Sequence, residues 1–186
     1  MVTHNVEFHA VAADRWDDLV HLFEGRGGPH YCWCMAWRPQ PAGTKRLRGK
    51  ARNAALKAQL HDRVAAGTPI GLLAYVDGDP VAWCSVAPRA TYRSLGGPDD
   101  DPAGTVWSIA CFFVKREFRG HGMTGRLIAE AVRHARDRGA TAVEAYPVDP
   151  DSPSYRFMGI VGAFEEAGFK KVGTAGSRRH VMRLAL

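Results

Sequence analysis

A glycine-rich loop offers the clearest chemistry in this chain of 186 residues. Residues 119–124 have the sequence R-G-H-G-M-T. A helical pattern of apolar residues begins at Met123 and recurs at Leu127 and Ala131. Backbone N–H groups at the start of a helix attract anions, and glycines allow a ligand to approach the backbone closely. The loop therefore predicts a site for an anionic ligand, and we expect a phosphate carrier.

Two strands and one helix must hold this loop in place. Residues 106–114 form an apolar run rich in aromatic and β-branched side chains, which predicts a strand. The helix after the loop ends at Gly139, and residues 140–148 predict a second strand. In such a unit the two strands lie parallel and the helix forms a right-handed crossover between them.

The rest of the chain supplies further strands and helices around this unit. The Asp77-Gly78 dipeptide is typical of a tight hairpin turn, so the strands on either side of it are antiparallel. We expect an α/β (α+β) fold in a single domain, residues 1–186, with a mixed, mostly antiparallel sheet of about six to seven strands and helices on both faces. The other predicted strands are residues 6–10, 71–76, 81–87, 169–174 and 180–184, and the other predicted helices are residues 14–24, 45–66 and 154–167.

Composition narrows the class of protein. A hydrophobic content of 46% and a charged content of 24% are ordinary for a soluble globular domain. The net charge of +6 suits an anionic cofactor, and because the basic residues form no long block we expect no nucleic-acid partner. No apolar run reaches the roughly 18 residues of a membrane span, so we expect no membrane partner. The cysteines form no C-x-x-C pair and no secretory signal precedes them, which favours a cytoplasmic protein with reduced thiols.

The glycine pattern also matches the dinucleotide-binding motif G-x-G-x-x-G through Gly120, Gly122 and Gly125. An acidic residue, Glu144, follows at about the 20-residue distance of that motif. Two observations count against a dinucleotide: residues 115–119 separate the motif from its strand, and only one strand follows before the terminal pair. A P-loop is excluded because no Gly-Lys-Ser/Thr is present.

The loop and the order of elements together resemble the GNAT superfamily of N-acetyltransferases. That family carries Arg/Gln-x-x-Gly-x-Gly/Ala between a strand and a helix; this loop matches through Gly122, with Thr124 in place of the final small residue. The family's frequent Tyr-x-x-x-Gly-Phe corresponds here to Phe164 through Phe169. The resemblance implies acetyl-CoA as cosubstrate, with its pantetheine pairing along the strand end and its pyrophosphate on the loop. The residues expected to bind coenzyme A are Phe112, Phe113, Val114, Arg119, Gly120, His121, Gly122, Met123 and Thr124.

The resemblance also implies an activity: transfer of an acetyl group to a primary amine of a small molecule, by direct attack in a ternary complex. The family commonly uses a tyrosine to protonate the leaving thiolate, but Phe164 stands at that position and has no hydroxyl. Either the thiolate leaves unprotonated or another donor acts; Tyr155 is the candidate substitute acid, with a packing role as its alternative. Glu144 is the candidate base, with Glu24, His30 and Asp149 as alternatives. An acyl-CoA-binding module with weak or no catalysis and a protein or peptide N-acetyltransferase stay open as alternative functions, and a homodimer stays open as an assembly.

An unusual segment at residues 30–39, with the sequence H-Y-C-W-C-M-A-W-R-P, predicts either a plug of the core or the wall of a substrate pocket. Its Cys-Trp-Cys-Met-x-Trp-Arg pattern looks like the feature of a subgroup. We expect no metal there, because His30, Cys32 and Cys34 lack a fourth ligand and the usual zinc spacing. Aromatic side chains with arginines suggest a small polar amine that bears a carboxylate or a sugar. The candidate acceptor-binding residues are Tyr31, Trp33, Trp37, Arg38 and Arg89.

Overall fold

The computed structural model describes residues 5–101 and 103–186, and in them the chain forms seven β-strands and four α-helices. The strands are β1 (Val6–Ala10), β2 (Leu72–Val76), β3 (Asp79–Pro88), β4 (Val106–Val114), β5 (Ala142–Ala145), β6 (Lys170–Ala175) and β7 (Arg179–Ala185). The helices are α1 (Trp16–Glu24), α2 (Gly49–Ala65), α3 (Met123–Arg136) and α4 (Val161–Glu166).

All seven strands belong to one sheet, in the order β1-β2-β3-β4-β5-β7-β6. Strands β4 and β5 pair in parallel, and the other neighbouring strands pair antiparallel. The parallel pair is the one joined through the glycine-rich loop and α3. The predicted fold class, a mixed and mostly antiparallel sheet around a central parallel unit, is confirmed.

The alternating side chains of the strands build a core on each face of the sheet. On one face Leu72 and Ala74 of β2 pack with Leu127 of α3 and Phe164 of α4. The opposite face holds a second core, in which side chains of β2 and β3 pack with α1, α2 and the segment at residues 33–35. Two helices therefore cover each face, as predicted.

The two halves of strand β4 differ in their pairing. Its first half pairs with β5 from Val106 to Ile109, whereas residues 110–114 have no partner in β5. The register with β3 shifts at this point: Val86 lies opposite Ile109 and Ser85 opposite Cys111, so Ala110 is the extra residue of a β-bulge. A bulge bends and twists a strand. The second half of β4 is thereby left with one open edge.

The structure corrects two predicted helices. The predicted helix at residues 154–167 is instead a 3-10 turn at Arg156–Met158 followed by the short α4, because Tyr155 and Gly159 adopt positive φ angles of 61° and 95° that interrupt a right-handed helix. The predicted helix at residues 45–66 begins only at Gly49, where φ is +53°, after a 3-10 turn at Ala42–Arg46.

Candidate active site

The open half of β4 forms one wall of a cavity of about 670 Å³. Arg119 and Thr124 of the glycine-rich loop lie at one end of this cavity, and residues of the 30–39 segment lie at the other. Gly159 and Ile160, just before α4, also line the cavity. The divergence of β4 from the next segment therefore creates a cleft that connects the predicted anion loop with the predicted acceptor segment.

The glycine-rich loop has the geometry of an anion site. Gly120 and Gly122 have φ angles of +76° and +73°, in the left-handed region that favours glycine. Gly122 is the N-cap of α3, and no side chain caps this end of the helix, so its first N–H groups are available to a ligand. A Cβ added at either glycine would meet no described atom within 4 Å, which shows that the space above the loop is open.

Arg119 is held at the mouth of the loop rather than left free. Its Nε donates a hydrogen bond to the carbonyl oxygen of Val114, at 2.8 Å, and this bond ties the loop to the end of β4. His121 is exposed beside it, and the side chain of Met123 turns into the core. The predicted contribution of Met123 to an anion site can thus come only from its backbone. Phe112, Phe113 and Val114 all line the cavity along β4.

Tyr31 and Trp37 are the two candidate acceptor residues that the structure places on the cavity. Tyr31 is 63% exposed, and Trp37 is half-buried. Three of the four cysteines, Cys32, Cys34 and Cys111, line the same cavity, which sequence reasoning did not anticipate. A buried strand position such as Cys111 looks like core in the sequence, and only the divergence of β4 brings it to the cavity.

Trp33 and Arg38 do not lie on the cavity, which corrects two predicted acceptor residues. Trp33 is 2% exposed because its ring packs against Trp16 and Phe23, with ring centroids 6.0 and 5.4 Å away. Arg38 is fully buried; its Nη2 donates to the carbonyl of Ile70 at 2.8 Å and to further buried oxygens. Both residues stabilise the packing of the segment that carries Tyr31 and Trp37.

Glu144 and Arg89 form a buried ionic cluster away from the cavity, which corrects the predicted base and another predicted acceptor residue. Glu144 is fully buried, and its Oε1 accepts hydrogen bonds from Arg89 Nη1 at 3.2 Å and from Arg183 Nε at 3.0 Å. The hydroxyl of Tyr146 donates to its Oε2 at 2.8 Å. A carboxylate that is held by two guanidinium groups and does not line the cavity cannot collect a proton from an acceptor there.

The candidate acid also lies differently from the prediction. Tyr155 does not line the cavity, and its ring contacts Trp37 and Phe157 at centroid distances of 6.3 and 6.2 Å. Phe164, at the tyrosine position of the family pattern, is fully buried between Phe112 and Phe169. Neither residue presents a hydroxyl to the cavity.

Three titratable side chains of the cavity, Tyr31, Cys32 and Cys34, have raised pKa values and stay protonated at neutral pH. Burial, followed by the neighbouring Cys34, raises the pKa of Cys32 to about 12. Partial burial also raises the pKa of Tyr31. The pKa of Cys34 is raised by its hydrogen bond with Cys111 and by burial. No Asp, Glu or His is among the described residues that line the cavity. An incoming amine therefore meets neutral thiols and a phenol.

The alternative bases lie outside the cavity as well. Glu24 forms an ion pair with Lys57 at 2.7 Å, and Asp149 forms one with His180 at 2.9 Å. His30 is exposed and lies beside Glu24 in a separate shallow depression.

In the part of the chain that the structure describes, no three His, Cys, Asp or Glu side chains converge to hold a metal ion. The described helices include none with the length and apolar character of a membrane span.

Comparisons with known proteins support the same architecture. The model of the acetyltransferase (GNAT) family matches residues 33–162. No curated protein sequence matches the chain significantly. Among solved structures, the aminoglycoside acetyltransferase AAC(6')-Ib in complex with coenzyme A and kanamycin is similar over 97% of this chain and 95% of that chain, with 19% identity and a TM-score of 0.63.

Two further solved structures show the same fold. The PaiA N-acetyltransferase from Thermoplasma acidophilum, in complex with coenzyme A, is 13% identical over 98% of this chain and 99% of that chain, with a TM-score of 0.57. The GNAT domain of PAT from S. lividans is 18% identical over 97% of this chain and 90% of that chain, with a TM-score of 0.61. At these identities the likeness is one of fold.

Proposed function

The chain belongs to the acetyltransferase (GNAT) family, and from this we propose that it transfers an acetyl group from acetyl-CoA to a primary amine of a small molecule. The observation that carries the proposal is the continuous cavity from the glycine-rich loop, along the open half of β4, to the 30–39 segment. One end suits a pyrophosphate, the middle suits an extended chain, and the other end suits a small acceptor.

The residues fit the binding of coenzyme A. The uncapped N–H groups at the start of α3 and the open space above Gly120 and Gly122 suit the pyrophosphate, and Arg119 adds a positive charge at the same end. Backbone groups on the open edge of residues 110–114 can pair with the amide groups of pantetheine as an added strand would. Backbone N–H near Phe113 would polarise the thioester carbonyl, as the family resemblance implies.

Acetyl-CoA supplies a thioester whose carbonyl carbon accepts the lone pair of the amine, with cleavage of the carbon–sulfur bond. The chain's own residues position the amine on the cavity wall formed by Tyr31 and Trp37. Because the described lining holds no carboxylate or imidazole, the amine must arrive neutral or lose its proton to water. The raised pKa values keep Tyr31 and Cys32 protonated at neutral pH and make them weak acids, so the leaving thiolate takes up the proton that the attacking amine releases, directly or through water.

A second candidate function rests on Phe164. Because this position lacks the hydroxyl that the family commonly uses, the chain could bind acyl-CoA without efficient transfer. The cytoplasmic location remains a prediction from the sequence, and the homodimer remains an open possibility.

Two measurements test the proposal. Saturating acetyl-CoA should raise the melting temperature by about 5 °C or more, because a ligand of the folded state stabilises it. Release of free thiol from acetyl-CoA should then depend on an amine, in a panel of small amines, aminoglycosides and peptides. Stabilisation without thiol release would favour the binding module, and no stabilisation at all would contradict both functions.

A further inference from the structure

Four segments that are distant in the sequence meet beside the acceptor end of the cavity. Trp37 comes from the 30–39 segment, Arg93 from the loop after β3, Tyr155 from the loop before α4, and Arg179 from the start of β7. The backbone N–H of Arg93 donates to the carbonyl of Trp37 at 2.9 Å, which fixes two of these segments together. Trp37 lines the cavity, whereas Arg93, Tyr155 and Arg179 do not line it and reach its border only through their contacts with Trp37.

Two guanidinium groups lie over the Trp37 ring. The Cζ of Arg179 is 4.3 Å from the ring centroid and the Cζ of Arg93 is 5.1 Å from it. Arg179 also lies over the Tyr155 ring, at 5.4 Å. Cation–π contacts of this kind hold arginine side chains flat against an aromatic surface, and they leave the N–H groups at the guanidinium edges free to bind planar anions.

Neither arginine forms an ion pair with a described carboxylate. Among the described residues, the Arg179 guanidinium donates one hydrogen bond, to the carbonyl of Leu95 at 3.0 Å, and burial together with the neighbouring Arg93 lowers its pKa. Arg183, on the same strand, differs because it binds both Asp100 and Glu144. Two like charges without a counter-ion repel each other, and an anion between them would relieve that repulsion.

The charged residues in the described lining of the cavity are the arginines Arg119 and Arg156. Arg156 lines the cavity and donates to the carbonyl of Pro150. No Asp or Glu is present in the described lining. A polycationic acceptor such as kanamycin would therefore bring ammonium groups to a rim that already carries uncompensated arginines. An acceptor with a negative group would bring the missing counter-charge.

We propose that Arg93, Trp37 and Arg179 form a subsite for the carboxylate of the acceptor, so that the preferred substrate is a small amine that carries a carboxylate. This proposal rests on the proposed acetyl transfer and adds the chemical class of its acceptor. The carboxylate binds the guanidinium edges beside Trp37, and the amino group extends along the cavity toward the middle of β4.

Matched pairs of amines that differ only in the carboxylate test the subsite. Suitable pairs are phenylalanine with phenethylamine and 5-aminopentanoate with pentylamine, compared at equal concentrations of neutral amine. For at least one pair, the wild-type protein should show a kcat/KM about tenfold higher or more for the carboxylate-bearing member. Equal or better use of the member without the carboxylate in every pair would overturn the proposal.

Variants that remove one positive charge test whether Arg93 and Arg179 bind the carboxylate. Arg93→Gln and Arg179→Gln should each reduce the preference for the carboxylate by about fivefold or more, without changing the KM for acetyl-CoA, and Arg179→Lys should restore part of it. Arg178→Gln is the matched control, because Arg178 lies on the same turn and donates to Ser154 Oγ rather than covering Trp37. Loss of the preference in Arg178→Gln alone, or equal losses for both amines of a pair in Arg179→Gln, would contradict the assignment.

An equilibrium measurement separates this subsite from the proposed reaction. With coenzyme A present, the carboxylate-bearing amine should raise the melting temperature of the wild-type protein more than its matched amine, and this difference should vanish in Arg179→Gln. If no amine releases thiol but this difference is observed, the transfer reaction fails and the subsite stands. If amines release thiol but this difference is absent, the subsite fails and the reaction stands.

Discussion

The carboxylate of Glu144 joins the loop after β3 to β5 and β7, through Arg89 and Arg183. Replacement by glutamine would remove the charge that Arg89 and Arg183 share, while Arg183 would still pair with Asp100 and Arg89 would still lie 4.0 Å from Asp101. The arginines are partly exposed, so we expect Glu144→Gln to lower the free energy of unfolding by about 2–3 kcal/mol, near the lower end for a broken buried pair. Urea denaturation measures this change, with Asp99→Asn as control because Asp99 is exposed on the same loop.

The same variant distinguishes a structural role from a catalytic one. At a temperature where it is folded, Glu144→Gln should keep an unchanged pH dependence of thiol release, because its carboxylate does not reach the cavity. An unchanged unfolding free energy together with a large loss of kcat would return Glu144 to the role of base.

Individual residues were predictable where their role is local. The conformations of Gly120 and Gly122 follow from a motif of six neighbouring residues, so the sequence alone predicts an anion loop. The roles of Trp33 and Arg38 depend on partners far along the chain. Trp33 packs on α1, and Arg38 donates to Ile70 and Ser85. No spacing within the segment indicates which of its aromatic residues turns inward.

Among the elements, the length of strand β4 was predicted. Its separation from β5 after Ile109 was not predicted. An apolar run of β-forming residues predicts a strand, and the observed strand is Val106–Val114. The bulge at Ala110 depends on the pairing register with β3, for which the sequence gives no signal. The cavity-lining position of Cys111, just beyond the bulge, therefore became apparent only in the structure.

Helix α3 carries a buried histidine that makes stability depend on pH. Burial, with Arg138 nearby, lowers the pKa of His134 from 6.5 to about 4, and its ring packs on Trp107. Below pH 6.5 the unfolded chain takes up a proton that the folded chain does not, so the folded state loses stability between about pH 6.5 and about pH 4.

The variant His134→Leu should therefore lose less stability than the wild-type protein between pH 7 and pH 5, because leucine takes up no proton in either state. Urea midpoints at the two pH values measure the difference, and His21→Gln is the control because His21 is exposed on α1. The same decrease in wild type and His134→Leu would contradict this account.

At the scale of the whole molecule, the sheet was predictable because its elements follow one another in a simple order. Direct connections between consecutive strands give the antiparallel pairs β2–β3, β3–β4 and β6–β7, and the crossover through α3 gives the parallel pair; the position of β7 between β5 and β6 was not predicted. The acceptor end of the cavity was not predictable, because Trp37, Arg93 and Arg179 meet only after the whole sheet has formed. The cofactor end of the cavity is thus built from residues that are close together in the sequence. The acceptor end is built from residues that only the tertiary fold brings together.

The central claim is that acetyl-CoA binds on the glycine-rich loop. The most direct test is calorimetric titration of acetyl-CoA into Gly122→Leu and Gly139→Leu. Both glycines have φ angles in the left-handed region, +73° and +77°, and open space where a Cβ would lie, so both variants should lose a similar unfolding free energy of about 1–2 kcal/mol.

They lie at opposite ends of α3 and differ in their distance from the proposed site. We expect Gly139→Leu to bind acetyl-CoA as the wild-type protein does. The leucine at position 122 would occupy the space of the pyrophosphate, so Gly122→Leu should bind about 100-fold more weakly or not at all. Equal affinity of the two folded variants would contradict the claim.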